Sequence, residues 1–165
     1  MDRDKPAPSD SPDAACLCAS LPDLAVVRMG WDGLDERVFA TLDSVCDHGG
    51  EQWWLYLSRC RACGQHWMVA QEERIYDDYY LRRLAPAAAR EIIGEGRWPD
   101  EFLTYERVLK TGRVLSTPYT YDDPLSPALV ETARDLRRAR PEISILEIAH
   151  LLGVPPGCAA QLLSN

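Results

Sequence analysis

Gln52-Trp53-Trp54-Leu55-Tyr56-Leu57-Ser58, then Arg59-Cys60-Arg61-Ala62-Cys63-Gly64, then Gln65-His66-Trp67-Met68-Val69-Ala70-Gln71 is the stretch whose reading decides the fold. Its two outer segments are dense in aromatic and aliphatic residues and each has the length of a strand. Between them, two cysteines at CxxC spacing and a glycine mark a tight turn. The simplest arrangement is an antiparallel hairpin with the cysteines at its tip. Gly64 suits the positive φ that such a turn needs. The turn brings both sulfurs to one ion and aims backbone amides at the thiolates. Zinc takes four ligands in a tetrahedron, mostly thiolate and imidazole in structural sites, so half of such a site is present here.

Cys46 and His48 are the expected other half. They are two residues apart, so in an extended segment both side chains point the same way, and Gly49-Gly50 let the chain turn away afterwards. The expected ligand set is therefore Cys46, His48, Cys60 and Cys63 around a structural Zn²⁺, with Arg59 and Arg61 placed to offset the excess thiolate charge. Cys16-Leu17-Cys18 is a rival pair, and His66, three residues after Cys63, is a further candidate. The bland alternative is buried free thiols, since unpaired cysteine is among the most buried residue types. A redox CxxC belongs at the start of a helix in a βαβ unit, and the flanking strands argue against that. A catalytic zinc needs an open position and a base, for which Glu51 or Asp47 would serve, but four local ligands leave no vacancy. The pattern around Cys60, Cys63 and Gly64 resembles a zinc-ribbon knuckle over residues 46–70. It departs from the ribbon where a second CxxC would stand, at Cys46-Asp47-His48.

Outward from the hairpin, Leu24-Ala25-Val26-Val27 reads as a strand and Val38-Phe39-Ala40-Thr41-Leu42 as a strand or short helix. Downstream, alternation of Ile75, Asp77, Tyr79 and Leu81 fits a third strand. Pairs at helical spacing (Ile75 with Tyr79, Tyr76 with Tyr80) allow a helix, but tyrosine density and the following Pro86 favour the strand. Pro86 then suits the first turn of a helix that Gly94 ends. Pro99 opens another, in which Trp98, Phe102, Tyr105 and Leu109 form one apolar stripe and Gly112 closes it. Residues 113–127, with Pro118, Pro124 and Pro127, read as a linker. Three helices follow: one from Ser126-Pro127 to about Arg140, one with the capping-box pair Ser144 and Glu147 and Gly153 at its end, and one opened by Pro155-Pro156. The expected fold is α+β, a small antiparallel sheet with a zinc knuckle followed by helices. The expected organisation is a disordered tail (1–13), a zinc-knuckle domain (14–112), the linker (113–127) and a three-helix unit (128–165).

Ile148-Ala149-His150-Leu151-Leu152-Gly153-Val154 resembles the core of a helix-turn-helix, with the resemblance spanning residues 128–163. It implies a DNA-reading helix next. That helix carries Cys158, Ala159, Ala160, Gln161 and Leu162, with no Arg, Lys or Asn, whereas base reading leans on those side chains. Arg134, Arg137, Arg138 and Arg140 sit on the first helix of the three, where they suit phosphate contact at most. A packing or partner-docking unit is the favoured reading, with His150 a surface or satisfied core histidine rather than a ligand.

Composition narrows the function classes. The 165 residues carry 18 basic and 26 acidic side chains, a formal charge of −8. Residues 1–57 hold 11 of the acidic groups and only 4 of the basic ones. Such a field repels phosphate backbones, so nucleic acid is disfavoured as a partner. The first residues lack the apolar core of a signal peptide, and no run approaches the roughly 18 apolar residues of a membrane span. No membrane association and a cytoplasmic location are expected, where the six cysteines stay reduced and favour metal binding or burial. The Glu72-Glu73 and Asp77-Asp78 pairs read as solvated charge, and neither a G-x-S-x-G elbow nor a phosphate-binding glycine loop is present. Trp53, Trp54, Trp67, Tyr76, Tyr79 and Tyr80 serve a core or an exposed anchor patch. The expectation is a non-enzymatic, zinc-stabilised protein-binding module, similar in class to bacterial immunity or regulatory proteins. The alternative is a zinc-containing helix-turn-helix transcriptional regulator.

Overall fold

The computed structural model describes residues 15–30, 34–115 and 123–165. The expected disordered tail (1–13) and residues 116–122 of the expected linker lie outside the described residues. Among the described residues, five strands form one antiparallel sheet: β1 (Leu24–Arg28), β2 (Leu42–Gly49), β3 (Trp54–Cys60), β4 (His66–Glu72) and β5 (Asp78–Leu84), in the order β1-β5-β4-β3-β2. The hairpin expected at residues 52–71 is β3 and β4, paired from Trp54 opposite Gln71 to Arg59 opposite His66. The ambiguous segment after it is the strand β5, and the fold is α+β as read from the sequence.

Period-2 alternation divides the sheet into two faces. Leu55, Leu57, Met68, Ala70 and Tyr80 point to one face, where α1 (Pro86–Glu95), α2 (Tyr105–Leu115), α3 (Pro127–Ala139), α4 (Ile145–Leu152) and α5 (Pro156–Ser164) complete the larger core. Tyr56, Cys60, Trp67, Val69, Tyr79 and Leu81 point to the other face. That face is covered by Cys18 and by Val38 and Phe39 of a 3₁₀ segment, Leu34–Thr41. The three-helix unit shares the larger core rather than standing apart from the sheet. Leu129, Ala133, Leu136, Ile148, Leu151 and Leu162 belong to the same buried cluster as the sheet residues. The Tyr76 hydroxyl donates to the Leu151 carbonyl at 2.6 Å, and Arg74 binds Asp135 at 2.7 Å and Glu131 at 3.1 Å.

Several helix ends differ from the sequence expectation. α1 runs past Gly94 to Glu95. The apolar stripe after Pro99 is real, with Phe102, Tyr105 and Leu109 buried, but it is divided between a 3₁₀ turn (Asp100–Phe102) and α2. Gly112 does not close α2, which continues to Leu115 and so takes the first residues of the expected linker. The charge pairs are not uniformly solvated either. Glu73 and Asp77 are exposed, while Glu72 and Asp78 are buried. Glu72 is held in place by the backbone amides of Arg74, Ile75 and Tyr76 and by the Tyr105 hydroxyl, which keep the connection into β5 folded. Burial nonetheless pushes its carboxyl above the ordinary value. Among the described residues no single helix is long and apolar enough to cross a membrane. The bent α4–α5 pair has the composition for it, but its apolar side chains Ile148, Leu151, Leu152, Ala159 and Leu162 are in the core.

Candidate metal centre

The turn after β3 is built as its sequence requires. The Cys60 amide donates to the Gln65 carbonyl at 2.8 Å, and the Gly64 amide to the Cys60 carbonyl at 2.8 Å. Gly64 has φ of 78°, where a side chain would be strained. Arg61 braces the turn from outside, its amide donating to the Thr41 carbonyl at 2.9 Å and its guanidinium pairing with Asp43 at 3.1 Å. Cys60, the last residue of β3, points to the smaller core and is fully buried, while Cys63 at the tip is exposed.

A second cysteine pair lies over this turn. Cys18 begins a short 3₁₀ turn, Cys18–Ser20, ahead of edge strand β1. Arg83 of β5 ties that turn to the sheet: Nη2 donates to the carbonyls of Cys18 (2.7 Å) and Leu21 (2.8 Å), Nε pairs with Asp23 at 2.9 Å, and the guanidinium carbon stands 4.5 Å over the Trp67 ring. The result is a cluster of four sulfurs, from Cys16, Cys18, Cys60 and Cys63, all within 4.8 Å of one another. Cys16 and Cys60 are separated by 3.7 Å, far from a disulfide. A tetrahedron with metal–sulfur bonds of about 2.3 Å has edges of about 3.8 Å, so four sulfurs this close can hold a metal ion.

The sulfurs have a built surrounding. Trp67 Nε1 donates to Cys18 Sγ at 3.3 Å, and Thr41 Oγ1 lies 3.4 Å from Cys60 Sγ. Burial opposes a Cys60 thiolate. Hydrogen bonds from Thr41 and from the backbone amides of Cys63 and Ala62 outweigh it, and the pKa falls to about 6. Burial pushes the Cys18 thiol up, and the neighbouring Cys60 and Cys63 add to that against the Trp67 hydrogen bond. For Cys16, the Cys18 backbone amide favours the thiolate, but burial and the Cys63 and Cys60 sulfurs leave the thiol above its ordinary value. One negative sulfur is thus favoured and the next are resisted by like charge, the condition a bound cation reverses.

Of the sequence-expected set Cys46, His48, Cys60 and Cys63, the structure brings Cys60 and Cys63 into the cluster and leaves Cys46 and His48 outside it. Cys46 pairs with Leu57 and packs against the larger core, on the face of the sheet away from Cys60. The cause is a β-bulge. Leu42 lies opposite Cys60, and even spacing would keep Cys46 on the same side, but the register shifts between Ser44 and Cys46 and turns the side chain over. His48, near the second shift in β2, stacks edge-on against Trp98 with ring centroids 5.4 Å apart. His66 is half-buried opposite Arg59, and alternation along β4 points it away from Trp67 and the sulfurs. Burial, then the Arg59 charge, lowers its pKa. The rival pair, Cys16 and Cys18, occupies the position. Thr41, Trp67 and Arg83 were not recognised from the sequence as supports of the site, because the pairing of β2 with β3 brings Thr41 to Cys60, and the pairing of β5 with β1 and β4 brings Arg83 and Trp67 to Cys18. No protein-family model, curated protein or solved structure matches this chain. The fold and site define it as an α+β protein with a four-cysteine cluster able to hold a metal.

Proposed function

We propose that this chain is a non-enzymatic, zinc-stabilised protein-binding module, with Zn²⁺ held by Cys16, Cys18, Cys60 and Cys63. The observation that carries the reading is the convergence of four sulfurs within 4.8 Å of one another. Four thiolates complete a tetrahedral shell, so no position is left for a reacting water, and the ion's work is to fasten residues 16–20 to the hairpin. Tetrahedral sulfur sites take zinc or iron, and a redox-inert ion suits a purely structural task. Protein rather than nucleic acid is the partner favoured by the −8 charge.

Metal analysis of the native protein is the test, with one zinc per chain expected. Cys60→Ser and Cys16→Ser should lose the metal, while Cys46→Ser and His48→Ala should keep it. Protein purified under reducing conditions without bound metal, and with a melting temperature indifferent to strong chelator, would overturn the zinc assignment. Affinity capture that recovers nucleic acid and no protein would overturn the partner assignment. A helix-turn-helix regulator is the second reading. It is favoured by the 104° bend between α4 and α5, within the range for that motif. Against it, Gln161 is the only long polar side chain on α5. Retardation of duplex DNA at low salt would support it.

A further inference from the structure

A cavity of about 450 Å³ opens at the end of the sheet where β3 begins and β4 ends, with α3 as its far wall. Four carboxylates, of Glu51, Glu73, Glu131 and Asp135, line it against two guanidinium groups, of Arg74 and Arg138. Arg74 is engaged by Glu131 and Asp135, and Arg138 by Asp135; even with Glu51 set aside, Glu73, Glu131 and Asp135 outnumber the two guanidinium groups and leave the wall negative. Two lining side chains are more than nine-tenths buried and carry a polar atom with no hydrogen-bond partner among the described residues: Nε1 of Trp53 and Oε1 of Gln71. The carboxamide orientation of Gln71 is fixed, because its Nε2 donates to the Glu73 carboxylate. The residues lining the cavity thus carry one unmet donor and one unmet acceptor, both buried in the unbound chain. Trp53 stacks on Tyr105 with ring centroids 5.9 Å apart, and both residues line a second cavity of about 510 Å³. Its wall includes Leu103, Leu136 and Ala139, and it shares Gln52, Trp53 and Asp135 with the first.

From this juxtaposition we propose that the paired cavities bind an extended peptide segment of a partner protein. An arginine or lysine side chain of that segment enters the acidic cavity, an apolar side chain enters the other, and separate backbone groups of the segment meet Trp53 and Gln71, which belong to opposite faces at this end of the sheet. A peptide backbone supplies acceptors and donors along its length, the complement of the two unmet atoms. A cationic side chain meets the excess carboxylate charge beside the Trp54 ring, which also lines the cavity. Both atoms are buried in the unbound chain, so binding requires the indole to turn and the Gln71 carboxamide to give up its hydrogen bond to Glu73. This assignment rests on the protein-binding reading and names the chemistry of the partner. It is independent of the metal, since none of the four clustered cysteines lines either cavity.

The test is calorimetric titration of the zinc-loaded, full-length chain at low salt with acetyl-Leu-Ala-Arg-amide, its citrulline counterpart and spermidine. The arginine peptide should bind at least tenfold more tightly than the citrulline peptide, and more tightly than spermidine. Trp53→Phe keeps a ring for stacking but removes the donor, and should weaken the arginine peptide at least threefold. Glu73→Gln/Glu131→Gln, at two exposed positions, should weaken it at least tenfold with the melting temperature little changed. Equal binding of arginine and citrulline peptides, or none by the arginine peptide, overturns the proposal. Spermidine binding as tightly as the peptide overturns it in favour of a free polyamine. Metal content measured on the same sample keeps the two readings apart. A zinc-loaded chain that ignores the peptide sinks only the cavity assignment, whereas a metal-free chain that binds the peptide sinks only the zinc.

Discussion

A Cβ placed at position 112 would lie 2.3 Å from the hydroxyl oxygen of Tyr80 and 3.0 Å from its Cζ. Tyr80 has no exposed surface and its hydroxyl donates to Asp78 at 3.2 Å, so the ring cannot swing aside cheaply. Gly112→Ala is therefore expected to cost about 1–3 kcal/mol, the usual penalty of overpacking. Tyr80→Phe removes the clashing oxygen, so the double variant should lose less than the two single losses added together. Urea unfolding of the four proteins checks this, and strict additivity would refute it. The sequence marked this glycine only as a helix stop, because the reason for it is a contact from β5 that no local pattern reveals. Cysteine legibility divides the same way. Cys60 and Cys63 declared themselves by CxxC spacing, a local constraint. Their partners were set by a bulge in β2, and an inserted residue leaves no signature in Leu42–Gly49, where only Leu42 is buried and no apolar alternation exists.

Elements defined by their own ends were the readable ones. α3 starts at Pro127 and α4 at a Ser144–Glu147 capping box, as their sequences announce. The Ser144 hydroxyl accepts from the Glu147 amide at 3.2 Å, and Glu147 accepts from the Ser144 amide at 2.9 Å. Replacing Ser144 by Ala is expected to cost about 1 kcal/mol, read from thermal melts at neutral pH. The cap is also sensitive to acid. Arg140, 2.7 Å from Glu147, is the first cause holding that carboxyl down at about 2, with Ser144 as the second. A carboxyl depressed from 4.5 contributes stability that is fully present above that value and lost as pH falls through the folded value. The melting temperatures of the native chain and Glu147→Gln should thus differ at pH 7 and converge between about pH 4.5 and 2. A gap that persists unchanged to pH 2 would show that the contribution does not depend on the charge. β2 lies at the opposite extreme. It is a strand because the free edge of β3 supplies hydrogen-bond partners, and pairing of that kind is tertiary information.

At the scale of the whole molecule the sheet is unequally supported. Its helix-covered face carries the larger core, drawing on β3, β4, β5 and all five helices. The opposite face is closed by short 3₁₀ segments and by the stretch holding Cys16 and Cys18, with Arg83 and Trp67 as its main ties to the sheet. In small peptides without a core of their own, structural zinc accounts for about 10–16 kcal/mol of apparent binding free energy, and folding fails without it. Here the helical face needs no metal to bury its apolar surface, so the two faces should respond differently to chelation. Removing the ion is expected to lower the melting temperature and to speed amide exchange in residues 16–28 and in the 60–66 turn. Exchange in α2 to α5 and in the centre of β3 and β4 should stay slow. The reason is that four thiols left without a cation favour only one negative sulfur, and the stretch before β1 is then held by Arg83, Trp67 and packing alone. Hydrogen-exchange mass spectrometry with and without strong chelator distinguishes the outcomes. A uniform rise across both faces would mean that the cluster holds the entire fold. No change at residues 16–28 would mean that this edge of the sheet stands without a metal.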